Sequence, residues 1–337
     1  MSRNLGIVTE FEIDSASIFN MDTLEAVTQI KVMKNPTDVD VTNDFSKAVV
    51  TSSETNELQL IDLTTSPLQI IDTQSIPAKA YVTITPNNKY AILTGGPDST
   101  FTLSYDIENK TILSELPNVS ESSAISPNGT ILTISNKQDN GAIKQLNIND
   151  NGLLIDEQYT ISSGGNIANN IIFSPDAKFA FISNTSTRSI GIVSTINPHR
   201  IGLVNAFPLT SQPQGIVMSA DGKTLYVYTD FTIDIFTFDS SRVSLTLERR
   251  IAHGLRAVGF FGGRRIVLNS NNDRLFLTAG VTLNAFTTAG EKLGTIPDIR
   301  ALGGMAVPTP NYFSRAYVPP QLNNFLDLIK KWLGQEK

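Results

Sequence analysis

Two histidines, His199 and His253, are the only side chains here whose ordinary pKa lies close to neutrality. His253 opens the run HGLRAVGFFGGRR (253–265) and is the natural candidate for a general base. Glu121 and Arg265 would complete a site as acid and cation if the fold brought them to it. A base also needs an orienting carboxylate or a polarised substrate, and none is adjacent in sequence. His199, in INPHR, reads as a turn residue. The chain has no cysteine, which removes thiolate chemistry, disulfides and Cys-based zinc or iron–sulfur sites together. Two histidines cannot build a His-rich metal centre. NINDNGLLIDEQ (147–158) has loose calcium-loop spacing at Asn147, Asn149, Asn151 and Gly152. It lacks the leading acid and carries Gln158 where a bidentate Glu belongs, so it reads as a tight Asn-Gly hairpin. No Gly-x-Ser-x-Gly elbow, phosphate loop, Gly-x-Gly-x-x-Gly or His-Glu-x-x-His occurs. No cofactor and no metal are expected from these residues.

The elements that would position such residues repeat along the chain. An alternating apolar run, a Ser/Thr-Pro-Asn/Asp turn and a second run recur, as in YVTITPNNKYAILTG (81–95), NIIFSPDAKFAFISN (170–184) and GIVMSADGKTLYVYT (215–229). The turns start at Thr42, Thr85, Ser126, Ser174, Ser219, Ser270 and Thr309, a mean spacing of about 44 residues. Third strands such as FTLSYDI (101–107) and fourth strands such as VSLTLERRI (243–251) follow. Four short antiparallel strands per unit make one propeller blade. The expected fold is therefore all-β, a seven-bladed β-propeller over 1–320, with six blades as the alternative. SASIFNMD (15–22) and LEAVTQIKV (24–32) match a third and a fourth strand, and MAVPTP (305–310) a first. The two ends should thus complete one blade and close the ring, which removes two exposed sheet edges. Both LGIVTE (5–10) and RAYV (315–318) could supply its second strand. Asp22, Asp62, Asp106 and Asp239 recur at third-strand ends and read as a turn device.

Aligned on the turns, the residues just ahead of the inner strands are Thr37, Asp38, Lys79, Glu121, Asn169, Asn170, Gln214, Arg264, Arg265, Gly303 and Gly304. They should surround the mouth of the central channel, where several blades each contribute one group. Asp38, Lys79, Glu121, Asn169, Asn170, Gln214, Arg264 and Arg265 are the candidate ligand-binding residues. Solvated loop tips are the plainer reading of the same positions.

The second strands KFAFISN (178–184) and KTLYVYT (223–229) resemble the Tyr-Val-Thr-Asn repeat, as does the phrase SADGKTLYVYT. TSQPQGIVMS (210–219) resembles that family's Gly-x-x-Pro-x-Gly/Asp-Val linker, and KNPTDVDVT (34–42) resembles it more loosely. Over about residues 5–318 the chain looks like a YVTN-type propeller, similar at the fold level to lactonase-like propellers. That resemblance implies a fold and several functions at once, among them surface proteins, binding proteins and lactone hydrolases.

The chain ends differently. In QLNNFLDLIKKWLGQEK (321–337), Leu322, Phe325, Leu326, Ile329, Trp332 and Leu333 fall on one helical stripe. An amphipathic helix is expected there, packed on the body or docking a partner through Phe325, Ile329 and Trp332. The charge of −6 over 337 residues disfavours nucleic acid, whose phosphates need clustered cations. No leader pattern and no transmembrane run is visible, so the protein is expected in the cytoplasm, or outside the cell if a leader is missing. The expected function is a non-enzymatic scaffold binding a protein, peptide or glycan at the channel mouth or rim. The alternatives are a lactonase-like hydrolase acting at the same mouth, and a cell-surface or envelope component.

Overall fold

The computed structural model describes residues 4–52, 54–78, 80–95, 101–117, 122–135, 141–197, 200–255, 265–279, 281–300 and 303–308. These residues form seven four-stranded antiparallel sheets, the blades of a β-propeller. The inner strands, in ring order from blade I to blade VII, are Met305–Ala306, Pro36–Val41, Ala80–Ile84, Ser122–Ile125, Ala168–Phe173, Pro213–Met218 and Ile266–Leu268. Six blades are ruled out. In blade I, LGIVTE is the second strand: Leu5–Glu10 pairs with Ser15–Asn20 on one side and with Met305–Ala306 on the other. RAYV and the 321–337 stripe, with Phe325, Ile329 and Trp332, lie outside the described residues.

Each blade is buried on both faces, so its middle strands read as near-continuous apolar runs. Successive residues of one strand serve opposite junctions. Val49 packs into the blade II–III core, while Ala48 and Val50 pack into the blade I–II core. Phe181 packs towards blade VI and Ile182 towards blade IV. One buried apolar cluster fills each of the seven junctions. At the junction that closes the ring, Phe19 and Phe276 pack with their rings tilted and their centroids 5.6 Å apart.

The inner hairpins share one device. The hydroxyl at the turn start accepts from the backbone N–H that begins the second strand, as Ser174 Oγ does from Phe179 N (3.0 Å) and Ser219 Oγ from Thr224 N (2.9 Å). That hydroxyl donates to the acid two residues on, Asp176 or Asp221, at 2.6 Å. Two sequence expectations shift here. In blade VII the turn starts at Asn269 rather than Ser270, because the Asn269 amide oxygen takes the hydroxyl's place, accepting from Asp273 N and Arg274 N. In blade I the third-strand cap is Asn20 rather than Asp22: Asn20 Oδ1 accepts from Asp22 N and Thr23 N. Asp62, Asp106 and Asp239 do accept from the amides that follow them. The 147–158 segment is a tight turn, with Asn149 Oδ1 accepting from Asn151 N and Leu153 N and Gly152 at φ +78°.

The outer edges carry a protection of their own. All seven fourth strands break register against the third, for example between Leu60 and Ile61 and between Ile192 and Val193. A bulge at that place twists the outer edge and makes it a poor template for another strand.

Candidate functional site

Loops joining fourth to first strands and second to third strands share one face, the mouth of the channel. The inner strands enter there, and three of them enter through a bulge, between Pro36 and Asp38, Ala168 and Asn170, and Pro213 and Gly215. Thr37, Asn169 and Gln214 are the extra residues, left out of the ladder and re-aimed. The position after each bulge starts a tier that runs round the ring: Gly304, Asp38, Tyr81, Ser122, Asn170, Gly215 and Arg265, from blade I to blade VII. The tier side chains of Asp38 and Asn170 reach toward the next blade. A Cβ on Gly304 would meet Asp38 Oδ1 at 2.2 Å, and one on Gly215 would meet Ile266 Cγ2 at 3.0 Å.

Asp38 is only 4% exposed. Its Oδ2 accepts from Val82 N of blade III at 3.0 Å, and one step deeper Asp40 Oδ2 accepts from Ile84 N at 2.7 Å. An inner strand turns an unpaired backbone edge to the channel, and these two carboxylates satisfy part of it. Asp38 is thereby held to the wall.

Asn170 stands at the same tier position in blade V, with a different outcome. Its Oδ1 is buried, and no described residue donates to it. It lies 3.6 Å from where a Cβ on Gly215 of the next blade would stand.

Arg265 is the cation of the tier, between Gly215 on one side and Gly304 on the other. It is 8% exposed, and burial pulls its pKa down while Tyr228 and Tyr81 act electrostatically in the opposite sense. Tyr81 belongs to blade III, so the guanidinium works across the channel. Arg265 Nη1 donates to Gln214 Oε1 at 3.3 Å, and Gln214 Nε2 donates to Asp230 Oδ1 at 2.7 Å. Gln214 thus joins a cation and a carboxylate through its two amide atoms, and each bond polarises the other. Tyr228, beside Arg265, has its phenol pushed up to about 12, chiefly by burial.

His253 is 4% exposed, with its ring edge-on to Tyr228 at a centroid distance of 5.2 Å. Its Nε2 lies 3.0 Å from Thr229 O, and its Nδ1 accepts from Leu255 N at 3.0 Å. Those bonds require the neutral ring with the proton on Nε2. Burial lowers its pKa, which favours the same state. With both nitrogens bonded to backbone, the ring ties the blade VI–VII connection to the loop after Thr229, and its geometry is that of a latch. Lys79, Glu121, Arg264 and His199 lie outside the described residues.

The structure thus brings Asn170, Gln214 and Arg265 together on adjacent blades and ties Asp38 to Val82 of blade III. Tyr81, Gly215 and Asp230 are the neighbours that reasoning from sequence missed. A signal existed for the first two: both stand four residues before a turn start, in register with Asn170. Nothing local marks Asp230, which reaches the site from a second-to-third-strand loop. Among the described residues no group of three His, Asp or Glu side chains could hold a metal ion, and no helix is long and apolar enough to cross a membrane.

Solved structures with this architecture include a functionally unknown protein from Desulfotomaculum acetoxidans DSM 771. It is 33% identical, with a TM-score of 0.86, over 91% of this chain and 99% of that one. A candidate 6-phosphogluconolactonase from Bacteroides fragilis NCTC 9343 is 16% identical, with a TM-score of 0.70, over 88% of this chain and 95% of that one. The periplasmic gluconolactonase of Pseudomonas aeruginosa is 13% identical, with a TM-score of 0.68, over 90% and 97%. At those two identities the likeness shows the fold alone. No protein-family model and no curated protein matches the chain, so the Tyr-Val-Thr-Asn resemblance rests on its own residues. With a third of its residues shared across nearly all of both chains, this seven-bladed propeller belongs to the same family as the functionally unknown protein of Desulfotomaculum acetoxidans.

Proposed function

We propose that the protein is a binding propeller that takes a polar ligand at the channel mouth, in the crescent from Asn170 to Gly304. One observation carries this reading: a buried guanidinium, Arg265, stands in the tier between two glycines. Its guanidinium is a planar fork of donors suited to a carboxylate, and its bond to Gln214 fixes its orientation. His253 latches a loop, and Asp38 is spent on a backbone amide, so the described groups of the mouth are arranged for recognition. Calorimetric titration of candidate carboxylate ligands against the wild type and Arg265→Met tests the reading. Binding that disappears in a variant with an unchanged circular-dichroism spectrum supports it; binding indifferent to the substitution removes it.

A lactonase-like hydrolase is the second reading, favoured by the two lactonase-related propellers of the same fold. A panel of sugar lactones and aryl esters decides between them. Turnover that is lost in Arg265→Met makes the mouth an active site, whereas no turnover leaves recognition as its task.

A further inference from the structure

We propose that His253 is a proton-sensitive clasp of the mouth: a proton on its ring breaks the backbone contact it holds and draws Asp230 off Gln214. The purpose of such a switch rests on the mouth being a binding site; its chemistry does not. The turn that carries Asp230 is bonded to His253 on both sides. Thr229 O accepts from the ring at Nε2 (3.0 Å), and Phe231 O accepts from the His253 backbone N–H at 3.4 Å. Asp230 in turn accepts from Gln214 Nε2 at 2.7 Å, and Gln214 Oε1 accepts from Arg265 Nη1 at 3.3 Å. The imidazole therefore stands one link from the chain of polar groups at the mouth.

The remaining ring nitrogen makes this arrangement conditional. Nδ1 accepts from Leu255 N at 3.0 Å, which it does only while it carries no proton. Protonation sets an N–H against an N–H in a ring that is 4% exposed, where water is poorly placed to take over the bond. Leu255 packs on the blade VI–VII core, so the disturbance reaches that junction. The new donor needs an acceptor, and Asp230 is the acid whose charge acts on the ring. An amide side chain offers the same donor and acceptor; the imidazole makes the pair depend on pH. The other groups around it are accounted for. Tyr228, edge-on to the ring, has its phenol pushed up to about 12 and stays neutral. Arg265, also beside Tyr228, has the same sign as the protonated ring and opposes it. Thr278 of blade VII, an uncharged neighbour, accepts from the Tyr228 phenol at 3.5 Å. Asp234 and Arg250 of blade VI pair with each other at 3.2 Å. Arg256 and Arg264 lie outside the described residues. Burial lowers the ring's pKa, so the switch works below the ordinary value of 6.5.

Histidine NMR reads the switch without a ligand, because the chain has two histidines and His199→Gln leaves one imidazole. At pH 7.5 its signals should be those of the neutral Nε2–H tautomer, and they should titrate with a midpoint between pH 4.5 and 6.5. The side-chain amide signal of Gln214, assigned with Gln214→Ala, should shift through the same midpoint. Hydrogen–deuterium exchange, corrected for its intrinsic pH dependence, should show residues 226–233 and 250–255 losing at least tenfold in protection over that range. His253→Gln should abolish both changes. Asp230→Asn removes the acid that favours the charged ring and should lower the midpoint, which keeps the test decisive if His253→Gln fails to fold. A ring still neutral at pH 4.5, a ring that titrates while Gln214 and the exchange stay unchanged, changes that persist in His253→Gln, or a midpoint indifferent to Asp230→Asn overturns the clasp. The mouth reading is judged separately by the Arg265→Met titration, so each fails without the other.

Discussion

Asp38 and Asn170 occupy the same place in two blades, yet only one has a bond to lose. Removing the Asp38 carboxylate strands the amide of Val82, and an unsatisfied buried group costs about 1–3 kcal/mol. Asn170 Oδ1 is already unsatisfied, so replacing the amide by an isosteric hydrocarbon relieves that cost. Asp38→Leu should therefore lower stability by about 2 kcal/mol, and Asn170→Leu should leave it unchanged or raise it by about 1 kcal/mol. Urea denaturation measures both, and a large loss in Asn170→Leu would mean that the oxygen is bonded after all. His253 gives a prediction in pH. Its pKa is lowered by burial, so the unfolded chain takes up the proton first as pH falls below the ordinary value of 6.5. Its contribution is complete above that pH and fades below it, until the folded ring also protonates. Melting curves of the wild type and His253→Gln should thus converge between pH 7.5 and pH 5; Asp230, which favours the charged ring, narrows the effect.

The hairpins were the most legible elements, because a turn must be solved within a few residues. Ser-Pro-Asp and Ser-Ala-Asp announce both the hydroxyl that caps the second strand and the acid that holds it. The device can be built from other atoms, and pattern reading slips there. Asn269 supplies an amide oxygen where a hydroxyl was expected, which moves the blade VII turn by one residue. Asn20 does the same for an aspartate. The mouth was only half legible. Alignment of the turns put Asn170, Gln214 and Arg265 at one mouth, but whether a side chain is spent on a neighbour depends on the next blade, over 40 residues away at Asp38 and Val82. The turn acids also predict acid behaviour. Asp221 is held below the usual carboxylate range first by the Ser219 hydroxyl, and Asp62 by that of Thr64. A carboxylate with a lowered folded pKa stabilises at pH above its unfolded value of 3.8, and that stabilisation is lost as pH falls through the folded value. The wild type should lose stability steadily below about pH 4, and Asp221→Asn should show a shallower decline over the same range. Parallel curves would remove the turn acids as the cause.

Seven similar sheets make a stable ring only if the last is joined to the first, and here the joint is small. Blade I takes three strands from the start of the chain and a two-residue strand, Met305–Ala306, from its end. Around that short strand the closure is reinforced by side chains and turns. Gly304 N donates to Thr37 O at 2.7 Å, and Thr9 N donates to Gly304 O at 3.0 Å. Glu10, fully buried, accepts from Arg300 N and from Gln29 Nε2, both at 2.8 Å, and from the Ser17 hydroxyl. Met305 also enters the Phe19–Phe276 core. Every blade has its four strands by Pro308. A chain ending there should therefore fold with a melting temperature within a few degrees of the full-length protein. A chain ending at residue 302 lacks Gly304, Met305 and Ala306, exposes the inner edge of Leu5–Glu10 and uncovers Phe19 and Phe276. Burying one large apolar side chain contributes about 1.5–3 kcal/mol, so uncovering two on top of a lost strand consumes much of a domain's margin of about 5–15 kcal/mol. That shorter chain should melt far lower and self-associate through its free edge, as sedimentation would report. If the two truncations behaved alike, the latch would lie in residues 309–337 and not in the Met305–Ala306 strand.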